Sequence, residues 1–461
     1  MNYEVVVVGG GIGGLTAAAL LAARGMNLCL FERQSQTGGC VATVEHQGYQ
    51  FEPTFGLYAG WEKGGIFEQI FSGLPVDPPK VRRLSPSYVV RLPDGVDVPI
   101  AGELEHLENN LAEAFPECTA AAIKFYRDLN QAAQTKGAAA AEPLSERLDG
   151  CSFRFRRFID VQLQTLTQRS SDQSTFDLAV AALRPNRGFW RIVGGARALA
   201  ETLERSLKAS GGSLRLNSPV LRMAYGSDGL PVGVDLLTGE RVIATRAIIS
   251  NLTVWDTYGK LIGMNRTPGN VAAQLKRLCS WGAYQVFLSM DRSTAGKLAS
   301  RSIVALSDWQ ENQTYTPEFN QFVLSLPGDF DFTAPEGDVA ATLSTFTSAE
   351  DWFSFHEDHT THEEQDQSAL ETIWSRLHAS MPELRDSVEV IETATPHTFY
   401  ETTRRKFGMI GQPNTPAPGL RTTPFSNLFV ISDTVASNAG LAGTTELALD
   451  VANLIQPRLP S

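Results

Sequence analysis

Apolar residues along this chain fall into two rhythms, and the change from one to the other marks out the elements. Val5 to Val8 is an unbroken apolar run, which predicts a parallel strand buried on both faces. Leu15 to Arg24 reads as a helix closed by Gly25, and Asn27 to Phe31 reads as a second strand. Much later, Leu199, Leu203 and Leu207 recur every four residues, a helix ended by Gly211-Gly212. The strand Ser213 to Asn217 follows, then a hairpin turning at Thr238-Gly239 and a return strand from Ala247 to Asn251. A last buried strand, Asn427 to Asp433, precedes a C-terminal helix opened by Gly440-Leu441-Ala442-Gly443. Strand, helix and strand alternating in this way predict an α/β fold with a Rossmann-type parallel sheet.

Two insertions interrupt that pattern. The first, between Pro75 and Phe189, starts with prolines and a short strand around Val96-Asp97-Val98, and turns helical near Glu103. Lys136 to Pro143 is a small-residue break between helices. Phe155, Phe158, Ile159, Leu163 and Leu166 then fall at helical spacing beside Arg154, Arg156 and Arg157. That stretch has two readings, a core helix with its arginines in water or a basic amphipathic helix resting on a membrane surface. The second insertion, between Leu261 and Thr395, alternates apolar and polar residues in Tyr284 to Met290, Phe322 to Leu326 and Ala340 to Phe346. This predicts an antiparallel sheet, with Phe319, Phe322, Phe330 and Phe332 in its core or lining a tunnel. The expected division is 1–74, 190–260 and 396–461 for a nucleotide-binding domain, and 75–189 and 261–395 for a mixed α+β substrate domain.

Composition narrows the function classes. Of 461 residues, 43% are hydrophobic and 20% charged, and the formal net charge is -12. No basic stripe stands out to neutralise phosphates, so a nucleic-acid partner is not expected. The five cysteines (Cys29, Cys40, Cys118, Cys151, Cys279) include no Cys-x-x-Cys pair, which fits a reducing compartment and offers no zinc site. Met1 leads directly into the first strand, and no apolar run of membrane-spanning length occurs. A cytoplasmic location is the expectation, with peripheral membrane contact as its variant. His356, His359 and His362 with Glu357, Glu363 and Glu364 sit at the polar start of a helix through Ile373 and Leu377. They read as a solvated face, so no metal is expected.

The chemistry concentrates in the first forty residues. Gly9, Gly11 and Gly14 occupy the three glycine places of G-x-G-x-x-G, with Ile12 and Gly13 completing the loop. Gly9 makes the turn, Gly11 admits a pyrophosphate, and Gly14 lets helix and strand pack closely. The N–H groups at the start of the helix point at the phosphates. Glu32, at the end of the second strand, is placed to accept hydrogen bonds from ribose hydroxyls. Arg33 adjoins it.

Gln36-Thr37-Gly38-Gly39-Cys40 resembles the second loop of FAD-binding oxidoreductases, among them amine oxidases and carotenoid desaturases. That resemblance runs Gly38, Gly39 and Cys40 beside the pyrophosphate and flavin. Trp190 to Gly195, Pro219-Val220, Ser250-Asn251, Ser432-Asp433 and Thr395-Pro396-His397-Thr398-Phe399 extend it to the phytoene desaturase, carotenoid isomerase and retinol saturase group. Trp61 to Ile66 and Phe153 to Gln168 look most like the bacterial carotenoid end-group desaturases. The resemblance implies FAD as cofactor, Val220 at the adenine, Asp433 at the ribityl and pyrophosphate region, and Gly440, Leu441 and Ala442 at the flavin ring. The chain departs from the group at Ser432, where glycine is usual, and at Glu52-Pro53-Thr54-Phe55-Gly56, where Phe-Asp-x-Gly is usual.

What the resemblance implies is hydride transfer from a long lipophilic isoprenoid to flavin N5, most simply carotenoid desaturation. Cis-trans isomerisation and saturation are alternatives at the same site. A non-catalytic prenyl-binding protein of the GDP-dissociation-inhibitor type is the alternative of another class. No second glycine fingerprint follows a strand, so a diffusible acceptor, oxygen or a quinone, is expected to take the electrons. No catalytic base is assigned; Tyr400 and Arg404 are the nearest candidates, with Arg404 equally a surface charge.

Overall fold

Eleven successive residues, Ile12 to Ala22, are buried in one helix, and four of them are alanine. Short side chains let this helix approach the sheet beneath it and two helices beside it. The computed structural model describes residues 1–135, 141–328, 334–353, 359–413, 423–436 and 440–456. The elements around this helix are β1 (Asn2–Val8), α1 (Ile12–Ala23), β2 (Leu28–Phe31), α2 (Gly195–Ala209), β3 (Ser213–Arg215), β4 (Val220–Tyr225), β5 (Pro231–Leu236), β6 (Arg241–Ser250), β7 (Leu428–Val430) and α3 (Gly440–Ile455). They form a seven-stranded sheet in the order β4-β5-β6-β1-β2-β3, with β7 pairing β6. Strands β6, β1, β2 and β3 are parallel neighbours, β7 runs parallel to β6, and β4-β5-β6 is an antiparallel meander. α1 packs against both α2 and α3.

The return strand is longer than its apolar stretch predicts, because its first residues, Arg241 to Ile243, pair with β5 while Ile248 to Ser250 pair with β7. The last strand is shorter: β7 stops at Val430, and Ile431 to Asp433 lie beyond it.

The two insertions share one sheet. Its order is Val388–Ala394, Trp281–Asp291, Asp338–Ser348, Gln321–Ser325, Ser302–Leu306, Tyr88–Arg91 and Asp97–Ile100. Strands of the first insertion are thus stitched on through the parallel pair Ser302–Leu306 and Tyr88–Arg91. The sheet is covered on both faces. Ile303 and Ala305 pack with Ile373 and Leu377 of the helix His359–Ser380. Val304 and Leu306 point the other way, into a cluster with Phe155, Phe158, Ile159 and Leu163.

Helix Phe153–Thr167 therefore lies inside, with Phe155, Phe158, Ile159 and Leu163 fully buried and Leu166 partly buried. The core reading holds for the apolar face of this helix, in place of the membrane-resting one, but not for all its arginines, which that reading expects in water. Arg157 is buried with it, paired to Asp160 at 3.0 Å and donating to the carbonyls of Trp309 and Gln313. Phe322 is buried in the sheet core and Phe319 packs at its edge. Phe330 and Phe332 lie outside the described residues, as do His356, Glu357 and residues 136–140 of the expected break. Among the described residues no group of three His, Cys, Asp or Glu is arranged to hold a metal, and no helix is long and apolar enough to cross a membrane.

Candidate functional site

Three distant segments meet at the carboxyl edge of the parallel sheet, and glycine is what lets them meet. A β-carbon at Gly14 would stand 2.2 Å from the carbonyl oxygen of Gly9, so only hydrogen permits α1 to leave β1 at this angle. A β-carbon at Gly13 would reach Ile431 at 2.7 Å, Thr444 at 2.7 Å and the Asn251 amide at 2.8 Å. Position 13 is thus the point where β6, the end of β7 and α3 converge on α1. Gly11 faces Asn251 Oδ1, 2.6 Å from where its β-carbon would be, so part of its need for glycine comes from packing inside the protein. Asn251 is fixed in turn, its amide donating to the Ile431 carbonyl at 2.5 Å.

The second glycine pair locks onto the first. Gly38 N–H donates to the Gly10 carbonyl at 2.9 Å, and the two loops form a parallel bridge, Gly11 to Gly38. Gly38 holds φ +115°, a conformation that a side chain would strain. Glu32 is buried beside them. One of its oxygens accepts from Gly10 N–H at 2.7 Å and the other from Gln34 N–H at 2.8 Å. A carboxylate has room for about four such bonds, so it retains acceptor capacity. α1 opens with no side-chain cap and no acidic residue in its first turn. Its leading N–H groups therefore face the crevice with the helix dipole behind them.

Val220 begins β4 near this edge, since Ser218 N–H donates to the Glu32 carbonyl at 2.8 Å. Arg33 turns away to donate to the Glu401 and Thr402 carbonyls at the end of helix Pro396–Thr403. Ser432 is buried with its hydroxyl turned inward, bonded to Asp433 at 3.1 Å and Thr434 at 2.9 Å. The extra side chain is absorbed by the protein. Gly440, Leu441 and Ala442 open α3, and Ala442 lies 3.2 Å from where a β-carbon of Gly60 would be. A cleft of about 860 Å³ begins at the neighbouring Trp61, lined by Phe67, Phe71, Leu74 and Val76.

Two groups here escape a reading of the sequence. Arg404, the residue singled out there, is exposed and pairs with Glu401 at 3.0 Å. Its neighbour Arg405 points inward and grips both oxygens of Asp433 at 3.2 and 2.9 Å. Arg404 adopts a left-handed φ of 57° at the helix end, and that turn swings the next residue inside. Cys40 touches Arg405 at 3.7 Å, and burial pushes its thiol up, against the pull of Arg405. A neutral thiol packed in the loop suits it better than redox chemistry.

The second group is Glu52, buried between the inserted sheet and α2. It accepts from the Ala196 N–H at 2.8 Å and from the Tyr58 hydroxyl, while Thr342 donates to its carbonyl at 3.1 Å. Burial holds its carboxyl above the usual range even though Tyr58, Ala196 and Arg191 draw it down. Its departure from the usual aspartate was visible in the sequence; its partners were not.

The family described as flavin containing amine oxidoreductase matches residues 12–456. A prolycopene isomerase of Daucus carota is 25% identical over 95% of this chain and 78% of its own. A zeta-carotene-forming phytoene desaturase of Myxococcus xanthus is 26% identical over 72% of this chain and 70% of its own. In fold, an oxidoreductase from Methanosarcina mazei superposes with TM-score 0.72 at 17% identity, covering 98% of this chain and 99% of that one.

Proposed function

Since the chain belongs to the flavin-containing amine oxidoreductase family, enzymes that use FAD, we propose that it acts on a long lipophilic isoprenoid and desaturates a carotenoid. One observation carries this reading. Similarity to proteins named for prolycopene and phytoene spans 95% and 72% of the chain, more than the nucleotide-binding segments alone make up.

The crevice fits FAD on its own terms. α1 presents uncapped N–H groups, Glu32 keeps acceptor capacity, and Gly38-Gly39 closes a second loop over the first. In this reading Gly9, Gly11, Ile12, Gly13 and Gly14 cradle the diphosphate, Glu32 and Val220 border the ribose and adenine while Arg33 anchors the helix Pro396–Thr403 instead, and Gly38, Gly39, Cys40 and Asp433 flank the middle of the cofactor. Gly440, Leu441 and Ala442 set the N-terminus of α3 against the ring. Bound flavin supplies a two-electron acceptor for hydride from an allylic carbon held at about 3.5 Å. The protein's part is alignment and exclusion of water. The cleft at Trp61 lies beside the Gly60–Ala442 contact, and its lining mixes Phe67, Phe71 and Leu74 with Glu68, Asp77 and Arg205.

A second reading has its own support: the isomerase alignment covers more of the chain than the desaturase alignment. Product mass separates the two. The FAD-loaded protein, incubated with acyclic C40 polyenes and a quinone, is expected to yield a product lighter by two hydrogens for each turnover. An unchanged mass with a shifted absorption spectrum would favour isomerisation, and a gain of two hydrogens when dithionite-reduced flavin replaces the quinone would favour saturation. No conversion of any polyene by flavin-loaded protein would overturn the substrate class.

A further inference from the structure

A diphosphate brings two negative charges into a crevice that already holds two carboxylates, Glu32 and Asp433. The surrounding loops, Gly9 to Gly14, Gly38 to Cys40 and Ser432 to Asp433, contribute N–H groups but no cationic side chain of their own. Like charges this close repel strongly where water is excluded. Something must offset Asp433.

Arg405 is built into that position. Its guanidinium has five N–H donors in a fixed fork. Nε donates to the Met409 carbonyl at 2.7 Å, Nη1 to Asp433 at 3.2 Å and Nη2 to the other Asp433 oxygen at 2.9 Å. A fourth donor meets only the Cys40 sulfur at 3.7 Å, a weak acceptor. The fifth has no partner among the described residues. One donor is thus unused, and the one at Cys40 holds only a weak acceptor beside the second glycine loop. The side chain is 12% exposed, and burial opposes its charge while the adjoining Asp433 carboxylate favours it and prevails.

The segment that carries it is fastened to the same crevice. Arg33, from the loop after β2, holds the carbonyls at the end of helix Pro396–Thr403, and Lys260 donates to the Arg404 carbonyl at 3.3 Å. Arg405 is consequently fixed relative to Glu32 and to the mouth of α1, with Met409 and Asp433 holding the fork in one orientation.

We infer that Arg405 donates to the FAD diphosphate while cancelling the charge of Asp433, which acts as the positioning residue that aims it. The inference rests on the flavin reading above and goes beyond it, because it assigns the charge compensation to a residue from the last segment of the chain.

The test is FAD affinity of the apoprotein, followed by quenching of flavin fluorescence, for wild type, Arg405→Met and Arg405→Lys at several salt concentrations. Losing charge-assisted hydrogen bonds predicts about 30-fold weaker binding for Arg405→Met at low salt. The deficit should shrink as salt rises, since the wild-type affinity contains the screened charge term and that of the variant does not. Arg405→Lys should recover most of the loss and keep a wild-type salt slope. Binding of FAD by Arg405→Met within about threefold of wild type would overturn the inference, as would equal, salt-independent losses in both variants, the mark of a purely structural role. Apoprotein melting temperatures show whether Arg405→Met folds; if it does not, Arg405→Lys against wild type decides by its salt slope. Wild type that binds no FAD would instead defeat the flavin reading itself.

Discussion

A methyl group at position 14 would stand 2.2 Å from the Gly9 carbonyl oxygen, closer than any such contact allows. Gly14→Ala must push α1 away from β1, and overpacking of this kind costs about 1–3 kcal/mol. Urea unfolding of the variant should show that loss together with weaker flavin retention; wild-type stability would contradict the packing account. Glu52 makes a different prediction. Burial raises its carboxyl in the folded state, so ionised Glu52 destabilises the fold relative to the protonated form. Wild type should therefore lose stability relative to Glu52→Gln as pH climbs from 4.5, the ordinary carboxyl value, through the raised folded one, and the difference should then level off. Paired melting curves across that range check it, and parallel curves would contradict it. At this scale the sequence was legible where a contact is local: Gly14 stands five residues from the Gly9 carbonyl that excludes a side chain there. Arg405 was not, because the choice between Arg404 and Arg405 depends on one left-handed residue.

Helix Phe153–Thr167 shows what can be read at the scale of an element. Its spacing was sufficient to foresee the helix, but a stripe of phenylalanines beside arginines is compatible with a core helix, the commoner case, and with a membrane-resting one. Only the partners decide, and they come from elsewhere: Phe158 packs on Phe115 at 5.1 Å, and the same cluster takes in Val304. Phe158→Ala should cost about 3–5 kcal/mol in urea unfolding, as a large cavity in a closed core does. A loss well below 1 kcal/mol would place that face outside the core after all. Strand Tyr88–Arg91 illustrates the opposite difficulty. Its pairing partner, Ser302–Leu306, belongs to the other insertion, and no local pattern announces that match.

On the scale of the whole molecule, two interrupted halves interlock. The parallel sheet gathers strands from three separated stretches of chain, while the insertions between them join in a second, largely antiparallel sheet. A dinucleotide site of the glycine-loop kind needs a strand, a tight turn and a helix at the carboxyl edge of parallel strands. The second sheet has a single parallel pair among its described strands, so it provides no such edge for a nicotinamide cofactor. NADPH is expected to reduce the flavin slowly and without saturation, and fast saturable reduction would contradict this. The antiparallel character of the inserted sheet was legible from alternation; its union across two insertions was not.

The most direct test of the account is the visible spectrum of the purified chain after reconstitution with FAD, with the flavin released by denaturation and counted. One oxidised FAD per chain, held without a covalent bond, is the predicted result. No bound flavin at saturating FAD would contradict the assignment of the crevice, and with it the chemistry built there.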